Sequence, residues 1–159
     1  MTNRPASGAR LACLFQLLLA GCGLTTGPFD VLESQRELTE NMSRWHDHGF
    51  ASYDYVVSNQ CFCIVGGVPV VVSVRDNAIV GVVDAGSGQP LSGERAAYYR
   101  DVPGQFQLIR AAIDAKAASI RAVYDPATGY PADVFIDYDR NAVDEERGFK
   151  VLSFTPVQR

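Results

Sequence analysis

The feature that most constrains this chain is a switch of hydrophobic period from about 3.6 residues to 2, made twice along its length. Leu38, Met42 and Trp45 fall at i, i+4 and i+7, with Glu33, Arg36, Glu37 and Glu40 on the other side, which predicts an amphipathic helix. It should begin near Phe29 or Asp30, with Asp30 as N-cap, Glu33 completing a capping-box pattern and Gly49 as its stop. From Ser52 the period becomes two: Tyr53, Tyr55 and Val57 alternate with Asp54, Val56 and Ser58 in a strand running on to Cys61 and Cys63. Gly66 and Gly67 turn the chain into a strand over residues 68–75, and Asp76-Asn77 suits a tight hairpin into a strand over 79–83. Residues 85–104 are rich in Gly, Ser, Pro and charge and read as a connecting loop.

A second helix from near Val102 or Pro103 places Phe106, Ile109, Ala112 and Ile113 on one face and turns Gln107, Arg110 and Asp114 away. Three more strands follow over 119–124, 132–138 and 149–154, the first hairpin turned by Asp125-Pro126-Ala127-Thr128-Gly129. The expected class is α+β: two α-β-β-β units forming a mainly antiparallel sheet with two helices packed on one face. The duplication is one of pattern, without residue identity between the halves. Its core should bury Leu38, Met42, Trp45, Phe106, Ile109 and Ile113 against Tyr55, Val57, Val70, Val72, Val134 and Ile136.

The chain ahead of this domain has a different character. Arg4 and Arg10 precede an apolar run over residues 11–19, which is interrupted by Gln16 and much shorter than the roughly 20 residues of a spanning helix. A basic start, a short apolar stretch and small residues make a secretory leader. Its ending, Leu19-Ala20-Gly21-Cys22, resembles the bacterial lipobox, which implies cleavage before Cys22 and lipid attachment to that cysteine. The expected organisation is a leader over 1–21, a lipid-anchored tether over 22–28 and a single α+β domain over 29–159. The six residues from Gly23 to Pro28 reach about 20 Å when extended, so the domain should sit close to a cell membrane or outer membrane, facing periplasm or exterior.

Of the 159 residues, 138 remain after a 21-residue leader, enough for one domain with a real core. Arg4 and Arg10 leave with the leader, so the formal charge of −4 becomes about −6. An acidic surface without a basic cluster argues against nucleic acid, and makes lipid the membrane attachment instead of charge. The sequence holds no Gly-x-Ser-x-Gly, phosphate loop, dinucleotide fingerprint or His-Glu-x-x-His motif, and only 2 histidines. No cofactor is implied, and Asp54, Asp133 and Asp137 alternate outward on strands as solvated carboxylates would.

Three features carry chemistry. With Cys13 in the leader and Cys22 acylated, Cys61 and Cys63 remain as an even pair in an oxidising space, a disulfide candidate. Residues i and i+2 of a regular strand lie about 6.6 Å apart, near the upper limit for a bridge, so a bulge or bend near Phe62 would be required. Such a pair is a structural brace, two half-buried thiols or a reducible redox couple. His46 and His48, two apart at a helix end, point to different sides and suit the helix C-terminus better than a zinc set with the cysteines. The acidic stretch from Asp137 to Glu146 begins like a calcium loop, with Asp137, Asp139, Asn141 and Glu145 as weak ligand candidates. Ala142 and Gly148 break the EF-hand pattern, and the alternative is a polar turn whose Asp and Asn bond their own backbone. Tyr53, Tyr55 and Trp45 read as core, with a ligand groove on the open sheet as the alternative.

Taken together, Trp45, Tyr53-Asp-Tyr55, Cys61-Phe-Cys63, Tyr124-Asp-Pro-Ala-Thr-Gly-Tyr-Pro131, Phe135-Ile-Asp-Tyr138 and Asp144-Glu-Glu146 give the chain a family likeness. It resembles the bacterial lipoproteins and secreted proteins of domain-of-unknown-function family 6174, over roughly residues 37–154. That resemblance implies no activity and no site residue. The functional expectation is a membrane-anchored lipoprotein of the cell envelope, a non-catalytic module that binds or scaffolds an envelope protein or small ligand. The alternatives are a thiol-disulfide redox factor using Cys61 and Cys63, and a calcium-dependent structural module.

Overall fold

A computed structural model describes Met1, residues 31–142 and residues 144–157. Cys22, the tether over 22–28, the Asp30 cap and the leader beyond Met1 lie outside the described residues.

Helix α1 (Val31–His48) buries Leu38 and Trp45, leaves Met42 half-buried, and keeps Glu33, Arg36 and Glu40 in solvent, where Arg36 pairs with both acids at 2.6 and 3.1 Å. Gly49 ends it at φ +62°, its N–H donating to the His46 carbonyl at 3.0 Å. Strand β1 (Tyr53–Cys61) stops two residues short of the expected end, because the chain bends at Phe62 and Cys63. Strands β2 (Pro69–Arg75) and β3 (Ala78–Asp84) form a hairpin whose turn residues, Asp76 and Asn77, both have positive φ, as a two-residue turn matched to strand twist requires.

The expected loop over 85–104 holds a third helix, the single turn α2 (Gly93–Ala96), so the two-helix expectation is corrected to three. Four residues are too few to leave a 3.6-residue period in a sequence. Helix α3 (Val102–Asp114) starts where expected: the Asp101 carboxylate caps it by accepting from the Gly104 N–H at 2.8 Å, and Pro103 occupies the first turn. Strands β4 (Ser119–Tyr124), β5 (Pro131–Asp137) and β6 (Arg147–Pro156) complete the domain.

All six strands join one open sheet in the order β3-β2-β1-β6-β5-β4, every neighbouring pair antiparallel. The fold is α+β, and the two meanders meet along β1 and β6, in register from Tyr53 opposite Pro156 to Cys61 opposite Arg147, with a bulge at Val56/Val57. Helices α1 and α3 cover one face. There Leu38, Trp45, Phe106, Ile109 and Ile113 are buried with Tyr55, Val57, Val70, Val72, Val134 and Ile136, each large side chain contributing about 1.5–3 kcal/mol. Among the described residues no helix is long and apolar enough to cross a membrane.

One end of this core is an aromatic cluster. Trp45 meets Phe50, Tyr53 and Phe154 at centroid distances of 5.1, 5.3 and 5.6 Å. The β4–β5 turn packs beside it, so closely that a Cβ on Gly129 would lie 2.5 Å from the Asn41 carbonyl oxygen and 3.2 Å from the Trp45 nitrogen. Gly88 has a similar positive φ of +72° but faces open space. Gly88→Ala should therefore lose only about 1–2 kcal/mol to left-handed backbone strain. Gly129→Ala adds a backbone clash and should exceed about 3 kcal/mol in urea denaturation. Equal losses would show that the turn does not dock on α1 as described.

Candidate functional site

The site is built outward from two tyrosines. Tyr53 and Tyr55, two apart on β1, project onto the same, helix-covered face, and each is 1 % exposed. Their hydroxyls reach the segment that enters α3: the Val102 N–H donates to the Tyr53 hydroxyl at 3.0 Å, and the Tyr55 hydroxyl donates to the Arg100 carbonyl. Between these two anchors sits Asp101, the helix cap. Burial pushes the Tyr53 hydroxyl well above the usual tyrosine range, a rise that the Val102 bond partly opposes. The Tyr55 hydroxyl is pushed up further by burial, with Tyr53 and Asp101 adding to the effect.

Fixing that entry places Gln105 over the sheet. It is 3 % exposed, and its buried Oε1 has no hydrogen-bond partner among the described residues. Most buried polar atoms in proteins are paired, so this oxygen is an exception. Gln105 also lines a cleft of about 800 Å³, open to solvent, where α3 leaves the later part of β1 and the start of β6 uncovered. Tyr55, Val57, Phe149 and Leu108 supply its inner surface. The segment after α2 forms one side with Tyr98, Tyr99 and Arg100, the Cys61-Phe62-Cys63 bend a second, and Tyr138 with residues 144–147 a third. The volume falls within the roughly 300–1,000 Å³ of small-molecule sites.

The expected site residues distribute as follows. Cys61 and Cys63 are joined in a disulfide with their Cα atoms 5.3 Å apart, closer than in a regular strand, and the bend at Phe62 makes the difference. Hydrogen bonds from Gly66 N–H to the Cys63 carbonyl (2.9 Å) and Gly67 N–H to the Asn59 carbonyl (2.8 Å) close this loop. It holds Phe62 out at 83 % exposure on the cleft rim. In the acidic stretch, the Asp139 carboxylate accepts from the Asn141 backbone and side-chain amides at 3.0 and 3.1 Å, and Glu145 Oε1 accepts from the Asp139 N–H. Asp137 ends β5 opposite Ser119. Among the described residues no three His, Cys, Asp or Glu side chains are grouped to hold a metal ion.

His46 is exposed, while His48 bonds the Ala127 carbonyl at 2.9 Å and stacks on Phe50. Asp54 pairs with Arg75 and Asp133 with Arg121, as outward-facing strand carboxylates. Trp45 and Tyr53 are core; Tyr55 is core and cleft wall together. Gln105, Arg100 and Tyr98 escaped the sequence reading. A signal for Gln105 exists: it lies four and seven residues before Ile109 and Ala112, a polar residue on the buried stripe of α3.

A family described as a family of unknown function, DUF6174, matches residues 37–156, which contain the whole cleft. No curated protein and no solved structure matches the chain.

The tyrosine pair sets a pH dependence. Below the ordinary tyrosine value of about 10 the folded and unfolded chains carry the same phenolic protons, and above it the unfolded chain releases protons that the native state keeps. The tyrosine contribution to stability should be flat up to about pH 10 and then fall as pH rises. In phenolate absorbance titrations, Tyr55→Phe should remove one titrating group from the urea-unfolded protein and none from the native protein near pH 10. Loss of a native phenolate in that range would mean that Tyr55 is open to solvent.

Proposed function

The chain belongs to the family of unknown function DUF6174, and from that premise we propose that it is a lipid-anchored, non-catalytic ligand-binding module of the bacterial cell envelope. The observation that carries the binding role is the cleft of about 800 Å³ itself, with Tyr55, Val57, Leu108 and Phe149 on its inner surface. The surroundings suit recognition more than chemistry. Neither histidine lines the cleft, and the buried Tyr55 hydroxyl, held protonated and already donating to Arg100, has no lone proton to exchange near neutral pH. The Cys61–Cys63 bridge braces one rim, and the β1·β6 pairing fixes the floor.

Anchoring rests on the leader and the Leu-Ala-Gly-Cys sequence ending at Cys22. A short tether then keeps the cleft within reach of the bilayer, at the cell membrane or the outer membrane, with the domain in periplasm or exterior.

Two experiments test the two halves of this reading. In detergent-phase partitioning of bacterial cells expressing the full chain, Cys22→Ala should move the protein from the detergent phase to the aqueous phase; unchanged partitioning overturns the anchor. In a ligand-observed NMR screen with a charge-diverse fragment set, hits should disappear in Leu108→Trp, which fills the cleft. A screen with no hit sensitive to that substitution overturns the binding role.

A further inference from the structure

We infer that the β1–β2 loop is a membrane contact, its Phe62 and Ile64 entering the interfacial layer of the bilayer to which the chain is anchored. This rests on the reading of Cys22 as a lipid anchor and adds a second, side-chain attachment; it does not depend on what the cleft binds.

The composition of the loop comes first. Between Asp54 and Arg75 the sequence holds no Asp, Glu, Lys, Arg or His, and the connection itself reads Cys61-Phe-Cys-Ile-Val-Gly-Gly-Val68. Surface loops are ordinarily polar. Here Phe62 is 83 % and Ile64 62 % exposed, and among the described residues only Met1 is a more exposed large apolar side chain than Phe62. Moving this tip into lipid strips no charge of its water, the step that bars most loops from a bilayer.

The loop is also braced with these two side chains outward. Val65 is fully buried and plugs the loop into the core, while the Cys61–Cys63 disulfide ties the chain on either side of Phe62. The Gly66 N–H donates to the Cys63 carbonyl at 2.9 Å and the Gly67 N–H to the Asn59 carbonyl at 2.8 Å, so several backbone groups are answered inside the loop, as a medium poor in water demands. A Cβ on Gly66 would lie 2.3 Å from the Cys61 carbonyl oxygen, so the turn closes only around glycine. The ordering of the tip is thus part of folding and is not charged against contact.

What meets the tip follows from its size and from the anchor. Two side chains fall far short of the roughly 800 Å² per partner that a stable protein interface buries, which argues against a second copy of this chain. A membrane needs less once something else holds the domain beside it. Nine residue steps separate Cys22 from Val31 at the start of α1, a reach of about 30 Å. Within that reach the bilayer is present at a high effective concentration, so an insertion too weak to recruit a free protein becomes populated. Acylated proteins are held firmly when a second attachment adds to the first. Asp144, Glu145 and Glu146 line the same cleft as Phe62, so the contact is apolar and calls for no anionic lipid.

The test uses the chain purified with its lipid and incorporated into phosphatidylcholine vesicles, with and without bromine on the acyl chains, read by tryptophan emission. Trp45, 7 % exposed in the core, supplies a constant background. The added emission of Phe62→Trp and, separately, of Ile64→Trp should be lost to the brominated chains and shielded from aqueous acrylamide. Val123→Trp, at an exposed site near the opposite end of the sheet, should be quenched by acrylamide and not by bromine. Bromine quenching at neither tip position, or equally at Val123, overturns the membrane contact and leaves the anchor standing, since the protein being read is the vesicle-bound one. Shielding from acrylamide without bromine quenching, growing with the protein-to-lipid ratio, gives the tip to a second copy and overturns the inference. A chain that does not stay with the vesicles overturns the anchor and the contact together.

Discussion

Two phenolic hydroxyls hold the helical layer to the sheet at the point on which the rest of the molecule depends. Tyr53 and Tyr55 lie on the central strand, and their oxygens engage the Val102 N–H and the Arg100 carbonyl across 49 and 45 residues of chain. Burying two hydroxyls and two peptide groups would be costly if any were left unpaired, about 1–3 kcal/mol each, so the four constrain one another to a single arrangement. Hydrophobic burial of Phe106, Ile109 and Ile113 decides that α3 packs on the sheet; it does not decide where along the strands the helix begins. The tyrosines do. They set the start of α3 at Tyr53 and Tyr55, and the second half of β1 is left without a helix above it.

That uncovered stretch is the cleft, and its walls are backbone devices. The bulge at Val56/Val57 adjusts β1 against β6, and Gly148 lets β6 approach Val134 so closely that a Cβ would collide with its carbonyl. The bend carrying the disulfide turns β1 away from its course at Phe62, and Gly66 fits against the Cys61 carbonyl where no side chain would. A core glutamine retained with an unmet acceptor sits at the centre of these devices. Replacing it with an aliphatic residue would remove that deficit.

The sequence made the surfaces of the elements legible and left their mutual placement hidden. Periodicity identified every side chain of the expected core, with Met42 alone only half-buried, because a face is a property of one element. The need for a bend at Phe62 was also legible, since it follows from the spacing of two cysteines on a strand. The acidic stretch was readable as an acceptor-rich turn, which is how Asp139 and Asn141 behave, although nothing in the spacing fixed Glu145 over the Asp139 N–H. The single turn α2 was not readable, because it is only one helical turn long, and Gln105 was readable only as a polar residue on a buried stripe, since its surroundings come together through the tertiary fold.

The twice-written α-β-β-β order invites a reading as two equivalent halves, and the topology contradicts it. In the order β3-β2-β1-β6-β5-β4, matching each strand of the first unit to its counterpart in the second preserves the lateral order while reversing strand direction. A proper rotation that keeps one in-plane axis and reverses the other must also turn the sheet over. Equivalent helices would then lie on opposite faces. Helices α1 and α3 instead pack together on one face, so no such symmetry relates the units, in keeping with the lack of residue identity between them. The helices accordingly do different work: α1 closes the aromatic end of the core around Trp45, and α3, pinned at its start by Tyr53 and Tyr55, roofs the middle and presents Gln105. The pattern repeat therefore generates no second copy of the cleft, and β1, whose Tyr53 meets both Trp45 of α1 and the Val102 N–H of α3, is where the two helices and the sheet are joined.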